Sequence, residues 1–212
     1  MVAIWPRWSL DSKQITFAEG DAAIAERLYM VSASGGSPNL LPTGPGHFNR
    51  SSWAHGGTSV VFAREDSESS ELRILDLKTS QVTTISGSRN LTFPVCSPDG
   101  RFIAATQREG KKLMLFDLTA QRWSELVNMD VGISDWSADG KYLYFDTGLG
   151  PDPALFRLHV SDRKLERLGS LKGLRRQIFS AFPWIGVGPD GSPILLRDTS
   201  SQEVYALEFE EP

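Results

Sequence analysis

Asp135-Trp136-Ser137-Ala138-Asp139-Gly140, followed at once by the apolar run Lys141-Tyr142-Leu143-Tyr144-Phe145, is the stretch on which the fold turns. Its wording returns along the chain. Pro6-Arg7-Trp8-Ser9-Leu10-Asp11-Ser12, Ser52-Trp53-Ala54-His55-Gly56-Gly57, Val95-Cys96-Ser97-Pro98-Asp99-Gly100 and, more weakly, Val187-Gly188-Pro189-Asp190-Gly191 complete a set of five. The turn Asp, or Gly56 in its place, falls at 11, 56, 99, 139 and 190, so the period is 40 to 51 residues. Such a period marks a repeat architecture.

Each copy leads into a β-rich run, such as Gln14-Ile15-Thr16-Phe17, Ser59-Val60-Val61-Phe62 or Arg101-Phe102-Ile103-Ala104-Ala105. Asp-Gly between two such runs is a hairpin turn, because Gly takes the positive φ and Asp bonds its own backbone. A further run follows in every copy, as in Leu72-Arg73-Ile74-Leu75 and Leu113-Met114-Leu115-Phe116. The loops 76–81 and 117–121 then lead into Val82-Thr83-Thr84-Ile85 and Trp123-Ser124-Glu125-Leu126. Four short antiparallel strands per repeat make the blade of a β-propeller, completed by its neighbours. The expectation is an all-β chain with almost no helix, a single domain over 1–212 of about five four-stranded blades, incomplete or open. The repeats span approximately 1–43, 44–87, 88–128, 129–173 and 174–212. Trp8, Trp53 and Trp136, with Cys96 in the same column, are expected to be buried alike in the wedges between blades.

These residues resemble a known family. Pro-x-Trp-Ser-x-Asp, then Ile15-x-Phe17, then Leu28-Tyr29-x-Val31 ending in Gly35-Gly36, looks like the WD-like repeat of TolB-type bacterial propellers, over nearly the whole chain. Departures are Asp11-Ser12 for Asp-Gly, Gly56-Gly57 in the second copy, the lost Trp-Ser pair in the fifth and the absence of the family's export signal. Repeats of this wording also resemble sensor or scaffold segments behind winged-helix or kinase domains in some bacterial regulators. The last copy ends after Val204 to Phe209 without an outer strand, and Val2 to Trp5 leave room for one strand. Either five blades close imperfectly or the chain is the C-terminal part of a larger propeller; the second is favoured. An open edge would invite self-association.

The 212 residues are 40% hydrophobic and 23% charged, with a formal net charge of -4. That balance excludes collagen, coiled coil and disorder. No apolar run approaches the ~18 residues of a spanning helix, so membrane insertion is not expected. Met1 to Arg7 lack the basic head and apolar stretch of a signal peptide. The compartment is left undetermined: cytoplasmic as the chain stands, periplasmic if it is the C-terminal part of an exported or membrane-anchored protein. The lone Cys96 forbids an internal disulfide and reads as a small buried hydrophobe.

No catalytic signature survives. Gly186-Val187-Gly188-Pro189-Asp190-Gly191 matches a phosphate-loop pattern, but two prolines bracket it and it falls on the repeat turn. No Gly-x-Ser-x-Gly or His-Glu-x-x-His occurs. His47, His55 and His159 stand singly, and Asp11, Asp99, Asp139 and Asp190 recur once per blade as turn formers, not as a converging pair. No metal and no cofactor are expected. The glycosylation sequons at Asn49 and Asn90 read as chance. The basic stretch 163–176 lacks stacking aromatics in an acidic chain, so nucleic acid is not the expected partner.

Function on a propeller usually lives in loops around the central channel. Loops entering the innermost strands carry Arg in three of four complete cases, which suggests a positive rim built from His47, Asn49, Arg50, Arg89, Asn90, Arg175 and Arg176. The reading is a non-enzymatic module binding a protein or acidic peptide, as the sensory or scaffolding part of a larger bacterial regulator. The alternative is the propeller portion of a hydrolase, gating a peptidase or carrying a lactonase- or glycosidase-like site.

Overall fold

A computed structural model describes residues 3–20, 25–44, 46–179 and 182–201. The first blade runs β1 (Ala3–Trp8), β2 (Gln14–Gly20), β3 (Ala25–Ser32) and the two-residue β4 (Asn39–Leu40). The second is β5 (His47–Ala54), β6 (Ser59–Glu65), β7 (Ser70–Asp76) and β8 (Val82–Thr84). The third is β9 (Leu91–Cys96), β10 (Phe102–Gln107), β11 (Lys112–Asp117) and β12 (Arg122–Asn128), and the fourth β13 (Ser134–Trp136), β14 (Tyr142–Asp146), β15 (Ala154–His159) and β16 (Leu165–Ser170). Neighbours within each blade pair antiparallel, and the backbone pair Ala25–Phe48 joins the first blade to the second. The helix among the described residues is one 3₁₀ turn at His55–Gly57.

The fifth repeat is described over 174–179 and 182–201. It forms two short hairpins, β17 (Ile178–Phe179) with β18 (Phe182–Pro183) and β19 (Ile185–Val187) with β20 (Pro193–Leu195). Its expected third strand at 204–207, and the run to Phe209, lie outside the described residues. Among the described residues the result is an open propeller of four four-stranded blades with two short additional hairpins.

The repeated words are explained by the turn they build. Ser137 Oγ donates to Asp139 Oδ1 at 2.7 Å, which also accepts the Lys141 N–H at 3.1 Å, while the Ser137 hydroxyl accepts the Tyr142 N–H at 3.0 Å. Ser9 and Asp11 repeat the arrangement, as do Ser97 and Asp99. The next position needs a left-handed backbone: Gly100, Gly140 and Gly191 have φ of 70°, 68° and 80°, and Ser12 adopts 59° without glycine's freedom. These carboxylates are occupied locally, which leaves their role structural.

The apolar cores lie between blades, not within them. Ala18, Leu28 and Leu41 meet Phe48, Phe62 and Leu75 at the first joint. Val61, Ala63 and Leu72 meet Cys96, Ile103 and Phe116 at the second. Val95, Ala104, Leu113 and Leu115 meet Trp136, Leu143, Phe145 and Leu158 at the third. A strand covered on both sides reads as an unbroken apolar run, which is why 142–145 shows no alternation. Trp53 and Trp136 are each 6% exposed and Cys96 is also buried, as their column predicts. Trp8 is the correction: it is 58% exposed, because no described blade lies on its side of the first blade.

Candidate functional site

Contacts between blades that are not neighbours can form only near the axis, and they define the centre of the ring. Trp5 of the first blade meets Phe93 of the third edge-on, with ring centroids 6.2 Å apart. Both residues precede proline and both have positive φ, 55° and 49°, an uncommon state for bulky side chains. Each sits where its innermost strand slips register, between Ile4 and Arg7 in β1 and opposite Ala104 to Thr106 in β9. Strand β5 slips likewise between Phe48 and Ser51. A bulge re-aims side chains, and here it redirects the residues that reach the axis.

Arg50, on the β5 bulge, crosses from the second blade to the fourth. Its Nη1 donates to the Ser134 carbonyl at 2.8 Å and its Nη2 to Asp135 Oδ2 at 3.0 Å. Arg7 of the first blade reaches the same Asp135 oxygen at 3.1 Å through Nη1. Two guanidiniums therefore share one carboxylate, and the cluster carries a net positive charge. The Arg50 side chain is 1% exposed, whereas Arg7 and Asp135 keep 22% and 16%. Arg7 Nη2 and the Ser134 hydroxyl are shielded from water without a hydrogen-bond partner. A buried donor left unmade costs about 1–3 kcal/mol, more when charged, so this nitrogen is a standing demand for an acceptor.

The seven residues expected to form one rim differ in exposure and in pairing. Arg50 lies at the axis and is internally paired, so it does not present its fork to solvent. Arg176 is also internal: it pairs with the fully buried Asp146 and donates to the Gly148 carbonyl, fastening the fifth repeat to the fourth blade. Desolvation pushes the Asp146 carboxyl upward, against the opposing pull of Arg176. Asn49 accepts the Arg50 N–H on Oδ1 at 2.6 Å and donates through Nδ2 to Glu65 Oε1 at 2.6 Å and to Thr92. Asn90 serves its loop through its backbone, bonding Ser70 O and accepting from the Arg108 N–H. His47 and Arg89 are exposed. Arg175 is exposed and pairs with Asp198 at 3.1 Å.

Arg7 and Asp135 were not among the expected site residues, although a signal was present. Both occupy the position just before the Trp of the repeat, in copies that face each other across the ring. Reading that column downward gives Arg7, Ser52, Val95, Asp135 and Gly186, which holds one base and one acid. Burial pushes the Cys96 thiol up to about 12 while the charge of Arg7 opposes the rise. Burial thus disfavours the thiolate, the nucleophilic form. Among the described residues, no three His, Cys, Asp or Glu side chains are placed to hold a metal ion, and no helix is long and apolar enough to cross a membrane.

No protein-family model and no curated protein matches this sequence. Solved structures do match in fold. TolB from Acinetobacter baumannii superposes with a TM-score of 0.70 at 17% identity, covering 90% of this chain and 47% of that one. A putative TolB from Agrobacterium tumefaciens gives 0.68 at 16% identity, covering 92% and 75%. An oligogalacturonate lyase solved in complex with manganese gives 0.63 at 14%, covering 95% and 66%. The chain thus has the TolB-like β-propeller fold, and it spans about half the length of the Acinetobacter protein. Fold at this identity does not carry activity.

Proposed function

We propose that this propeller is a non-enzymatic binding module whose ring centre receives a carboxylate from a protein or peptide, either an acidic side chain or a C-terminus. The observation that carries the reading is the two-to-one ratio of guanidinium to carboxylate at Asp135, with Arg7 Nη2 left without an acceptor. An arginine fork suits a carboxylate in geometry as well as charge. The Arg7 side chain keeps 22% exposure, and its chain-wide setting is acidic, so the positive centre is a local exception. The local engagement of the turn aspartates supports a binding role over acid-base chemistry. In the wider setting, the module serves as the sensory or scaffolding part of a larger bacterial regulatory protein.

The test is a titration with two forms of one acidic peptide, a free C-terminus and an amide. Arg7→Met should weaken binding about tenfold or more, the value of a charge-assisted contact, and raised salt should act in the same direction. Arg7→Met binding that equals the unchanged chain would remove the centre as the site. Equal affinity for acid and amide would restrict the reading to acidic side chains.

A further inference from the structure

We infer that the groove between the third and fourth blades is a binding site separate from the ring centre, and that it takes an extended acidic segment of a partner protein. The groove encloses about 790 Å³ at the end of the ring where the repeat turns lie. Arg101 and Arg122 stand on its third-blade bank, Lys141 and Arg163 on its fourth-blade bank. Neither Arg7, Arg50 nor Asp135 lines it.

Strand register places these side chains, since successive residues of a strand point to opposite faces. Phe116 pairs with Trp123, and both pack toward the second blade. Leu115 pairs with Ser124, and Asp117 with Arg122, on the face turned to the fourth blade. Leu115 belongs to the third apolar joint, and Phe102 and Val160 pack against it. The floor of the groove is therefore the outward continuation of that joint. Arg163 reaches across to the outermost strand of the third blade, donating through Nη1 to the Glu125 carbonyl at 2.7 Å, and bounds the groove on that side.

Charge is not balanced there. Asp117 is the one carboxylate among the lining residues, and its Oδ2 accepts from Arg101 at 3.1 Å. Asp139 stands 3.5 Å from Lys141. The Arg122 side chain has no ionic or hydrogen-bonding partner among the described residues, and Arg163 meets a carbonyl instead of a carboxylate. Two of the four Lys and Arg side chains thus lack an acid, in a chain of net charge -4. A local excess of this kind draws an anion.

The kind of anion follows from which donors are free. A phosphate nest is made of free backbone N–H groups. Those of the bordering turns are spent: the Arg101 and Lys141 N–H groups bond Asp99 and Asp139, those of Thr119 and Ala120 bond Asp117, and that of Gly140 bonds the Ser137 carbonyl. What remains is side-chain cations on two banks above an apolar floor. An extended peptide alternates its side chains, so apolar residues can rest on Phe102 and Val160 while acidic ones rise to the banks.

The test uses the 212-residue chain and a peptide of alternating Asp and Leu, acetylated, amidated and carrying one benzophenone. Anisotropy should show saturable binding that salt weakens, and the same peptide with Asn for Asp should bind at least about tenfold less tightly. Cross-links mapped by mass spectrometry should fall on both banks, within 101–124 and 140–163. Arg122→Ala with Lys141→Ala should remove those cross-links and leave Tm unchanged, because both side chains are exposed. Cross-links near Arg7 should survive in that variant, so the groove and the ring centre succeed or fail separately. Absence of saturable binding, cross-links confined to the ring centre, or groove cross-links unaltered in the double variant would overturn the inference. A fall in Tm would assign Arg122 and Lys141 to the fold and do the same. Displacement of the peptide by equimolar pyrophosphate or by a single-stranded oligonucleotide would make this a phosphate or nucleic-acid site, and also overturns it.

Discussion

Arg50 and Arg89 hold comparable places in the sequence, each in or just ahead of an innermost strand, yet one lies at the axis and the other in water. The difference separates two kinds of cohesion. At the centre, residues far apart in the chain are tied by charge, as Arg50 is to Asp135. At the rim, a carboxylate or hydroxyl satisfies backbone groups two or three residues away, as Asp76 does for Lys78 and Thr79. The centre should fail through loss of the ring, the rim through loss of one turn.

The largest expected effect is therefore at the centre. Arg50→Met removes one partner of a buried pair and should cost about 3–5 kcal/mol in denaturant unfolding. A loss under about 1 kcal/mol would mean that Arg7 alone holds Asp135, and the contrast would fail. Next comes a turn packed against the neighbouring blade. Gly100 has φ of 70°, and a Cβ there would stand 3.3 Å from the Gly56 nitrogen of the neighbouring blade. Gly100→Ala should cost about 1–3 kcal/mol, whereas Ser12→Gly, relieving the same conformation in the first blade, should gain up to about 1 kcal/mol. Opposite signs in thermal unfolding are the expected pattern.

Acid should act on the rim. Backbone N–H groups of Thr79 and Ala120 hold the Asp76 and Asp117 carboxyls below their usual range, and the Ser9 and Ser137 hydroxyls do so for Asp11 and Asp139. A depressed folded value stabilises the fold above the unfolded pKa, and that contribution is lost as pH falls through the folded one. Tm should decline below pH about 4, and Asp76→Asn with Asp117→Asn should flatten the decline. A steeper decline in the double variant would contradict the assignment. The smallest effect is Arg89→Ala, expected within about ±0.5 kcal/mol because the side chain is exposed. A larger loss would place Arg89 in the fold and not on its surface.

The blades were legible because their cause is local. Ser-x-Asp-Gly closes a turn by itself, and the strands beside it are apolar on both sides because each is packed on both. The third joint followed directly from Trp136 and its column. What lay beyond the sequence is depth: nothing within a few residues of Arg50 says that the β5 bulge swings it to Asp135, 85 positions away. The same reasoning explains Arg176, whose partner Asp146 stands in another blade. Trp8 obeyed its column in register and departed in burial, because burial belongs to the neighbour and not to the residue.

The buried thiol of Cys96 has a practical corollary. With burial pushing its ionisation up to about 12 and its side chain buried, the thiol offers little thiolate to a reagent while the ring is folded. The protein is thus its own blank for thiol chemistry. A cysteine introduced at position 89 or 175 could carry a dye or spin label against a silent background, and the slow emergence of Cys96 itself would clock the opening of the joint between the second and third blades.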